Sequence, residues 1–270
     1  MMNKILFLLL FIPSIGLGQR VIQDGTKLTK SDAVFLINEM YHNYFVYRND
    51  FINTVTTSSP GNDVQATNSG TGAATSTLAT SDAGKPGLVR STTGTTITGR
   101  TAVATGASVV RLAGGAWVYE QSFNITTTST VTERFQLAIG FIDTYTAANQ
   151  VDGVYFLYDE GGVSTSSTAT GNWQTVTVSN STRTFNQNAQ NPTAVAQGTW
   201  TTLRIEINAA GTSCVFKVNG TIIGTHTSTI PTGAGRECGF GWLLIKSIGT
   251  TARTVDVDYI SSILSLTTAR

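Results

Sequence analysis

Asp256 and Asp258 stand two residues apart in Val255-Asp-Val-Asp-Tyr259, so on a strand their carboxylates share one face and the valines take the other. Glycosidic bond cleavage on a β-sandwich needs two carboxylates roughly 5–9 Å apart, one of them kept protonated. A last strand with a wet, acidic face has the same pattern, and nothing in the sequence pairs Glu120 or Glu133 with a second acid. His42 and His226 are the only histidines, too few for a histidine metal centre or a Ser/His/Asp triad. The expectation is therefore a chain that binds rather than cleaves. Two binding chemistries fit the residues. Asp143, Asp152, Asp159 and Glu160 fall at the ends of adjacent strand-like runs, where oxygen ligands could surround calcium at about 2.3–2.6 Å; solvated turns carry the same residues, so the cofactor expectation is none or calcium. A pyranose offers an apolar face and a ring of hydroxyls, which suits an aromatic platform, and Trp173, Tyr145 and Tyr158 sit in or beside loops. Trp117, Trp200 and Trp242 lie inside apolar strand patterns and read as core. Cys214 and Cys238 are either one disulfide or two buried thiols.

These residues must be positioned by strands. Leu203, Ile205 and Ile207 alternate with Arg204, Glu206 and Asn208, the period of a strand buried on one face and wet on the other. Asn219-Gly220 between two such runs predicts a tight hairpin turn with positive φ. Similar runs separated by glycine turns recur from Leu88 to Tyr259, including the apolar stretch through Phe135, Leu137, Ile139 and Phe141. The fold class predicted is all-β, two packed antiparallel sheets. Charged residues are 12% of the chain and 27 positions are glycine, which suits short strands and tight turns. The net charge is +1 and the seventeen basic residues are scattered, so no phosphate-tracking groove is expected and nucleic acid is excluded as a partner.

The start of the chain has its own logic. Lys4, the apolar run Ile5–Ile12, Pro13 and the small residues up to Gly18 have a signal-peptide layout, too short for a stable membrane-crossing helix; buried in a particle, the same run could be an apolar peg. Ser31 can cap a helix from Asp32 to Phe51, and Ile37, Met40, Tyr44, Tyr47 and Phe51 at 3,4 spacing form a stripe for docking on the sandwich or for oligomerisation. The expected organisation is a signal-like segment 1–18, a helical attachment segment 19–56, a Thr/Ser/Gly-rich linker or edge region 57–84, and a sandwich 85–270.

The block from Trp200-Thr-Thr-Leu-Arg-Ile-Glu-Ile-Asn through Phe216-Lys-Val-Asn-Gly to Val255-Asp-Val-Asp-Tyr-Ile resembles a jelly-roll module of bacteriophage structural and fibre proteins, with concanavalin A-like or laminin G-like architecture. Lys85-Pro-Gly-Leu-Val-Arg, Thr98-Gly-Arg-Thr-Ala, Thr132-Glu-Arg-Phe and Asp152-Gly-Val-Tyr-Phe extend the resemblance over about two thirds of the chain. It implies a structural or adhesion protein on a virion surface, oligomeric with a trimer among the options, held by capsid or tail proteins and contacting host surface glycans. A secreted lectin-like adhesin, released by cleavage near Gly18, is the alternative, and a polysaccharide-active enzyme the lesser one.

Overall fold

The computed structural model of the chain describes residues 44–51, 64–78, 84–85, 87–159 and 171–268. They form two antiparallel sheets. The eight-stranded sheet holds β1 (Tyr44–Asn49), β3 (Ala74–Leu78), β4 (Leu88–Thr92), β6 (Gly115–Ile125), β11 (Trp200–Ile207), β12 (Cys214–Val218), β13 (Thr221–His226) and β15 (Thr254–Leu266). Its order is β13-β12-β11-β6-β15-β4-β3, with β1 also on β15. The seven-stranded sheet holds β2 (Gln65–Ser69), β5 (Arg100–Ala104), β7 (Arg134–Ile142), β8 (Gly153–Asp159), β9 (Gln174–Ser179), β10 (Thr182–Phe185) and β14 (Gly239–Ile248), in the order β10-β9-β8-β7-β14-β5-β2.

The two sheets follow different sequence rules. Along β11, Leu203, Ile205 and Ile207 are buried and Arg204 and Glu206 are not, as strict alternation requires of a sheet with one wet face. In β7, Phe135 to Ile142 are all buried, and Val154 to Tyr158 of β8 likewise. Phe135, Leu137, Ile139 and Phe141 enter the sandwich core, while Ala138, Ile142, Tyr155, Leu157, Val176, Val178 and Leu243 build a second apolar cluster on the outer face of the seven-stranded sheet. Over that cluster the sheet is covered on both sides. In the core, edge-to-face ring pairs join the sheets, among them Trp117 with Phe141 at 5.7 Å and Phe156 with Phe216 at 5.2 Å.

The N-terminal attachment helix is corrected over its described part. Tyr44–Asn49 is a strand, paired with β15 from Tyr44↔Ser265 to Asn49↔Ile260. Tyr, Phe and Val favour a pleated, half-buried surface, and here that surface exists: Tyr47 packs its ring on Phe240 at 5.2 Å and Phe51 on Trp242 at 5.7 Å. Tyr44 stays 43% exposed, so the 3,4 stripe is not one face. Ile37, Met40 and the signal-like segment lie outside the described residues. β15 accommodates β1 by length: β6 lines one edge, while the other edge is shared by β4 against Thr254–Val257 and β1 against Ile260–Ser265. The register with β6 shifts between Val257 and Tyr259, leaving Asp258 as the bulge. The chain around Asp50 and Phe51 passes so near Gly87 that a Cβ there would meet the Asp50 carbonyl oxygen at 2.0 Å. The 57–84 region holds β2 and β3, one on the edge of each sheet.

The Asn219-Gly220 turn has the positive φ values its sequence requires, 48° and 82°. β13 ends the eight-stranded sheet, and its open edge is covered by the segment after β10: Gln190 donates its backbone N–H to Ile223 O at 2.8 Å, and Thr225 N–H donates to Gln187 O at 3.3 Å. His226 is buried at this seam between the sheets. Gln187 donates its backbone N–H to Nε2, so Nε2 is an acceptor and Nδ1 carries the proton toward Thr177 Oγ1 at 2.8 Å; the Thr175 hydroxyl lies 2.8 Å from Nε2.

Candidate functional site

The outer face of the seven-stranded sheet owes its cover to the β7–β8 connection, residues 143–152. The loop runs back along the sheet far enough for Ala148 O to accept a hydrogen bond from Gln136 Nε2 at 2.7 Å. Its return is fixed by its own polar groups. Thr144 N–H donates to Gln150 Oε1 at 2.9 Å, Ser181 N–H to Val151 O at 2.8 Å, and the Arg183 guanidinium to Gln150 O. Tyr145 packs on the apolar cluster, its hydroxyl against Gly239, where an added Cβ would lie 1.9 Å away. Burial pushes the Tyr145 hydroxyl pKa well up.

A polar row crosses the sheet beside this loop. The register aligns Ser69 of β2, Arg100 of β5, Ile245 of β14, Gln136 of β7 and Asp159 of β8. Position parity puts Ser69, Arg100, Ile245 and Gln136 on the outer face, because Ala66, Val103, Leu244, Phe135 and Leu137 face the core. Adjacent strands are about 4.8 Å apart, so the four steps from Ser69 to Asp159 span roughly 19 Å. Gln65, Thr67 and Ser69 are exposed along the β2 edge, and Arg134, two residues before Gln136, shares its face. Gln136 is fully buried, yet its Oε1 has no hydrogen-bond partner, nor has Arg100 Nε. The row thus offers guanidinium donors, hydroxyls and an aliphatic floor, with the Gln136 amide buried beside them.

The residues expected from the sequence fall elsewhere. Trp173 is 5% exposed, edge-on to Phe123 at 5.3 Å and to Phe156 at 6.2 Å, and Tyr158 is 2% exposed, its hydroxyl accepting from Ser129 N–H at 2.9 Å. Both are corrected from platform to core: Trp173 precedes β9 on the inward side, and Asn172 and Gln174 reflect alternation rather than exposure. Tyr145 does lie on the outer face, half-buried under the loop.

The calcium set is also corrected. Asp143 and Asp152 flank the same loop and serve as turn acceptors. Asp143 Oδ1 accepts from Val151 N–H at 3.1 Å, Asp152 Oδ1 accepts from Asn180 N–H at 2.9 Å, and Asp152 Oδ2 is paired with Arg236 at 3.2 Å. Burial, with Asp152 beside it, raises the Asp143 pKa. Asp159 is at the other end of β8, seven residues and about 23 Å away at strand rise, beyond any shared ion. Glu160 lies outside the described residues, and among those described no three His, Cys, Asp or Glu side chains gather to hold a metal. Cys214 and Cys238 are not bridged; both are free and buried, in β12 and just before β14, and burial pushes the Cys214 thiol up to about 12.

Asp256 and Asp258 are each committed to a cation. Arg90 binds Asp256 through two nitrogens at 2.6 and 2.7 Å, and Lys85 binds Asp258 at 3.1 Å. Glu120 accepts from Arg204 at 3.1 Å and from the Tyr259 hydroxyl at 2.6 Å, and Glu133 accepts backbone N–H groups of Thr250 and Thr251. None of these is arranged as a free acid beside a second carboxylate. Sequence reading missed Arg100 and Gln136 as site residues. The available signal was Gln136 alone in the apolar run Phe135–Ile142, a polar residue on a face that a doubly covered strand should make apolar.

A family described as SO2946-like, C-terminal domain, matches residues 84–258. Among solved structures, SO2946 of Shewanella oneidensis MR-1, titled a protein of unknown function, is 15% identical with a TM-score of 0.60, covering 92% of this chain and 98% of that one. Peanut lectin is 12% identical with a TM-score of 0.55, covering 84% and 99%. An endo-1,3-beta-glucanase from Streptomyces sioyaensis is 14% identical with a TM-score of 0.52, covering 82% and 96%. At these identities the likeness is one of fold, a concanavalin A-like sandwich. No curated protein matches the sequence.

Proposed function

We propose, from the premise that this chain belongs to the SO2946-like C-terminal domain family, that it is a non-catalytic carbohydrate-binding sandwich whose ligand lies on the outer face of the seven-stranded sheet. The observation that carries this reading is the row Ser69, Arg100, Ile245, Gln136, with a buried, unpartnered amide oxygen and guanidinium nitrogen beside an aliphatic surface. Sugar hydroxyls supply partners for the rest of the half-buried Arg100 guanidinium and for the exposed Ser69 hydroxyl, and a ring face covers Ile245. The lectin and glucanase likenesses support a sugar-handling use of the fold. Binding is favoured over cleavage because Asp256 and Asp258 are bound to Arg90 and Lys85 on the opposite sheet. Calcium has no part in the reading, since Asp152 and Asp159 stand at opposite ends of β8. The setting we propose is the outside of a virion, supported by the fibre-protein resemblance. Secretion after loss of residues 1–18 is the alternative, and the mass of the native chain from particles and from supernatant distinguishes them.

The test is a glycan array probed with the full chain and two variants. Ser69→Trp places an indole in the row from an exposed edge position, and Val46→Trp does the same on the other sheet, where Val46 is 48% exposed. Binding to a defined glycan set, lost in Ser69→Trp and kept in Val46→Trp, is the expected result. An array blank for the unmodified chain, or equal binding by Ser69→Trp, refutes the proposal.

A further inference from the structure

The charges of the two outer faces are arranged differently. Among the described residues, five cations of the eight-stranded sheet and its rim have a carboxylate: Arg48 with Asp50, Lys85 with Asp258, Arg90 with Asp256, Arg204 with Glu120 and Glu206, and Lys217 with Glu206. Those five cations meet five carboxylates. On the seven-stranded sheet Arg100 and Arg134 form no ion pair among the described residues, and Arg183 is hydrogen-bonded to a backbone carbonyl, Gln150 O. Two further cations stand at the Arg100 and Arg134 end of the sandwich. Lys246 follows Ile245, its backbone N–H donating to Gly99 O at 2.9 Å, next to Arg100; its ammonium is held by Gly94 O at 2.8 Å and Thr251 O at 2.5 Å. Arg253 is 5% exposed, donates from Nη1 to Thr128 O at 3.2 Å, and leaves Nε unpartnered. Among the described residues the carboxylates near this end are Glu133, engaged by the Thr250 and Thr251 amides, and Asp159 by its register position on β8. Arg100, Arg134, Lys246 and Arg253 outnumber these described carboxylates.

We infer that the ligand of this face is an acidic polysaccharide, whose carboxylate or sulfate groups are taken by Arg100 and Arg134. This inference rests on the carbohydrate-binding reading above. A guanidinium presents a planar fork of donors that matches a carboxylate or sulfate, and unpaired, half-buried guanidinium groups cost desolvation that an arriving anion returns. Arg100 and Gln136 are two strand steps apart, about 10 Å, with Ile245 between them. Arg134 lies two residues, about 7 Å, along β7 from Gln136. Anionic groups repeated along a chain meet the guanidinium groups in turn.

The experiment is retention of the full chain on immobilised polygalacturonate, on its methyl ester with the same backbone, on dextran sulfate, and on neutral dextran and laminarin. Arg100→Gln, Arg134→Gln and the control Arg204→Gln are run beside it, each checked for an unchanged melting temperature. The expected result is retention on polygalacturonate or dextran sulfate but not on the ester or dextran. Each face variant loses about tenfold in affinity, Arg204→Gln stays as the unmodified chain, and about 0.5 M NaCl releases the protein. Retention on polygalacturonate alone identifies the anion as carboxylate, and on dextran sulfate alone as sulfate. Equal retention on the ester, or on neutral glucans only, overturns the acidic ligand and leaves carbohydrate binding standing. No retention on any support, together with a blank glycan array, overturns both. Retention of Arg100→Gln and Arg134→Gln equal to that of Arg204→Gln overturns the assignment of this face.

Discussion

His226 couples the stability of the fold to pH in a way that can be measured against a variant. The ring is fully buried at the seam between the sheets, and burial lowers its pKa from 6.5 to about 4. Its hydrogen bonds act in the same direction, because a second ring proton on Nε2 would point at the Gln187 N–H that now donates there. Between pH 6.5 and 4 the unfolded chain binds a proton at this residue that the folded chain refuses. The contribution is therefore fully present above pH 6.5 and is lost as pH falls toward 4. A difference of about 2.5 pK units corresponds to roughly 3 kcal/mol. The perturbation is His226→Gln, which has no titration in this window. Urea unfolding at pH 7.5, 6.5, 5.5 and 4.5 gives the free energy of each protein. The expected outcome is a lower stability for the variant at pH 7.5 and a shallower decline on acidification, the gap between the two closing by about 2–3 kcal/mol by pH 4.5. Carboxylates such as Glu206, whose pKa is lowered by Lys217 and Arg204 against the opposing effect of burial, titrate alike in both proteins and cancel in the comparison. Parallel stability curves would show that His226 takes up its proton in the folded state as easily as in the unfolded one, and the account of this seam would be wrong.

Two further predictions address the corrected elements. Phe51→Ala removes a fully buried ring from its edge-on contact with Trp242 and should cost about 3–5 kcal/mol in denaturant unfolding; a loss below about 1 kcal/mol would mean that β1 and its following turn do not contribute to the core. A thiol reagent at pH 8 should leave Cys214 and Cys238 almost unreacted in the native protein and modify two thiols per chain after unfolding without reductant. Zero thiols under those conditions would establish the disulfide that the structure lacks.

The local sequence determined most of the strand content and the fold class, because period-2 alternation and turn chemistry act over a few residues. Leu203 to Asn208 states its buried and wet faces by itself, and Asn219-Gly220 specifies its turn by the φ values it tolerates. Tertiary structure decided what alternation cannot encode. Tyr44, Tyr47 and Phe51 fit a helical stripe on paper, and only the free half of the long β15 edge, with Phe240 and Trp242 beneath, makes their segment a strand. Trp173 has polar neighbours in sequence but aromatic neighbours in space, since side chains at successive strand positions face opposite ways. Asp152 and Asp159 are close in the chain and far apart in the fold, because a strand is the most extended path between two residues. The row of Ser69, Arg100, Ile245 and Gln136 is assembled from four strands by long-range register, so no segment of the chain contains it.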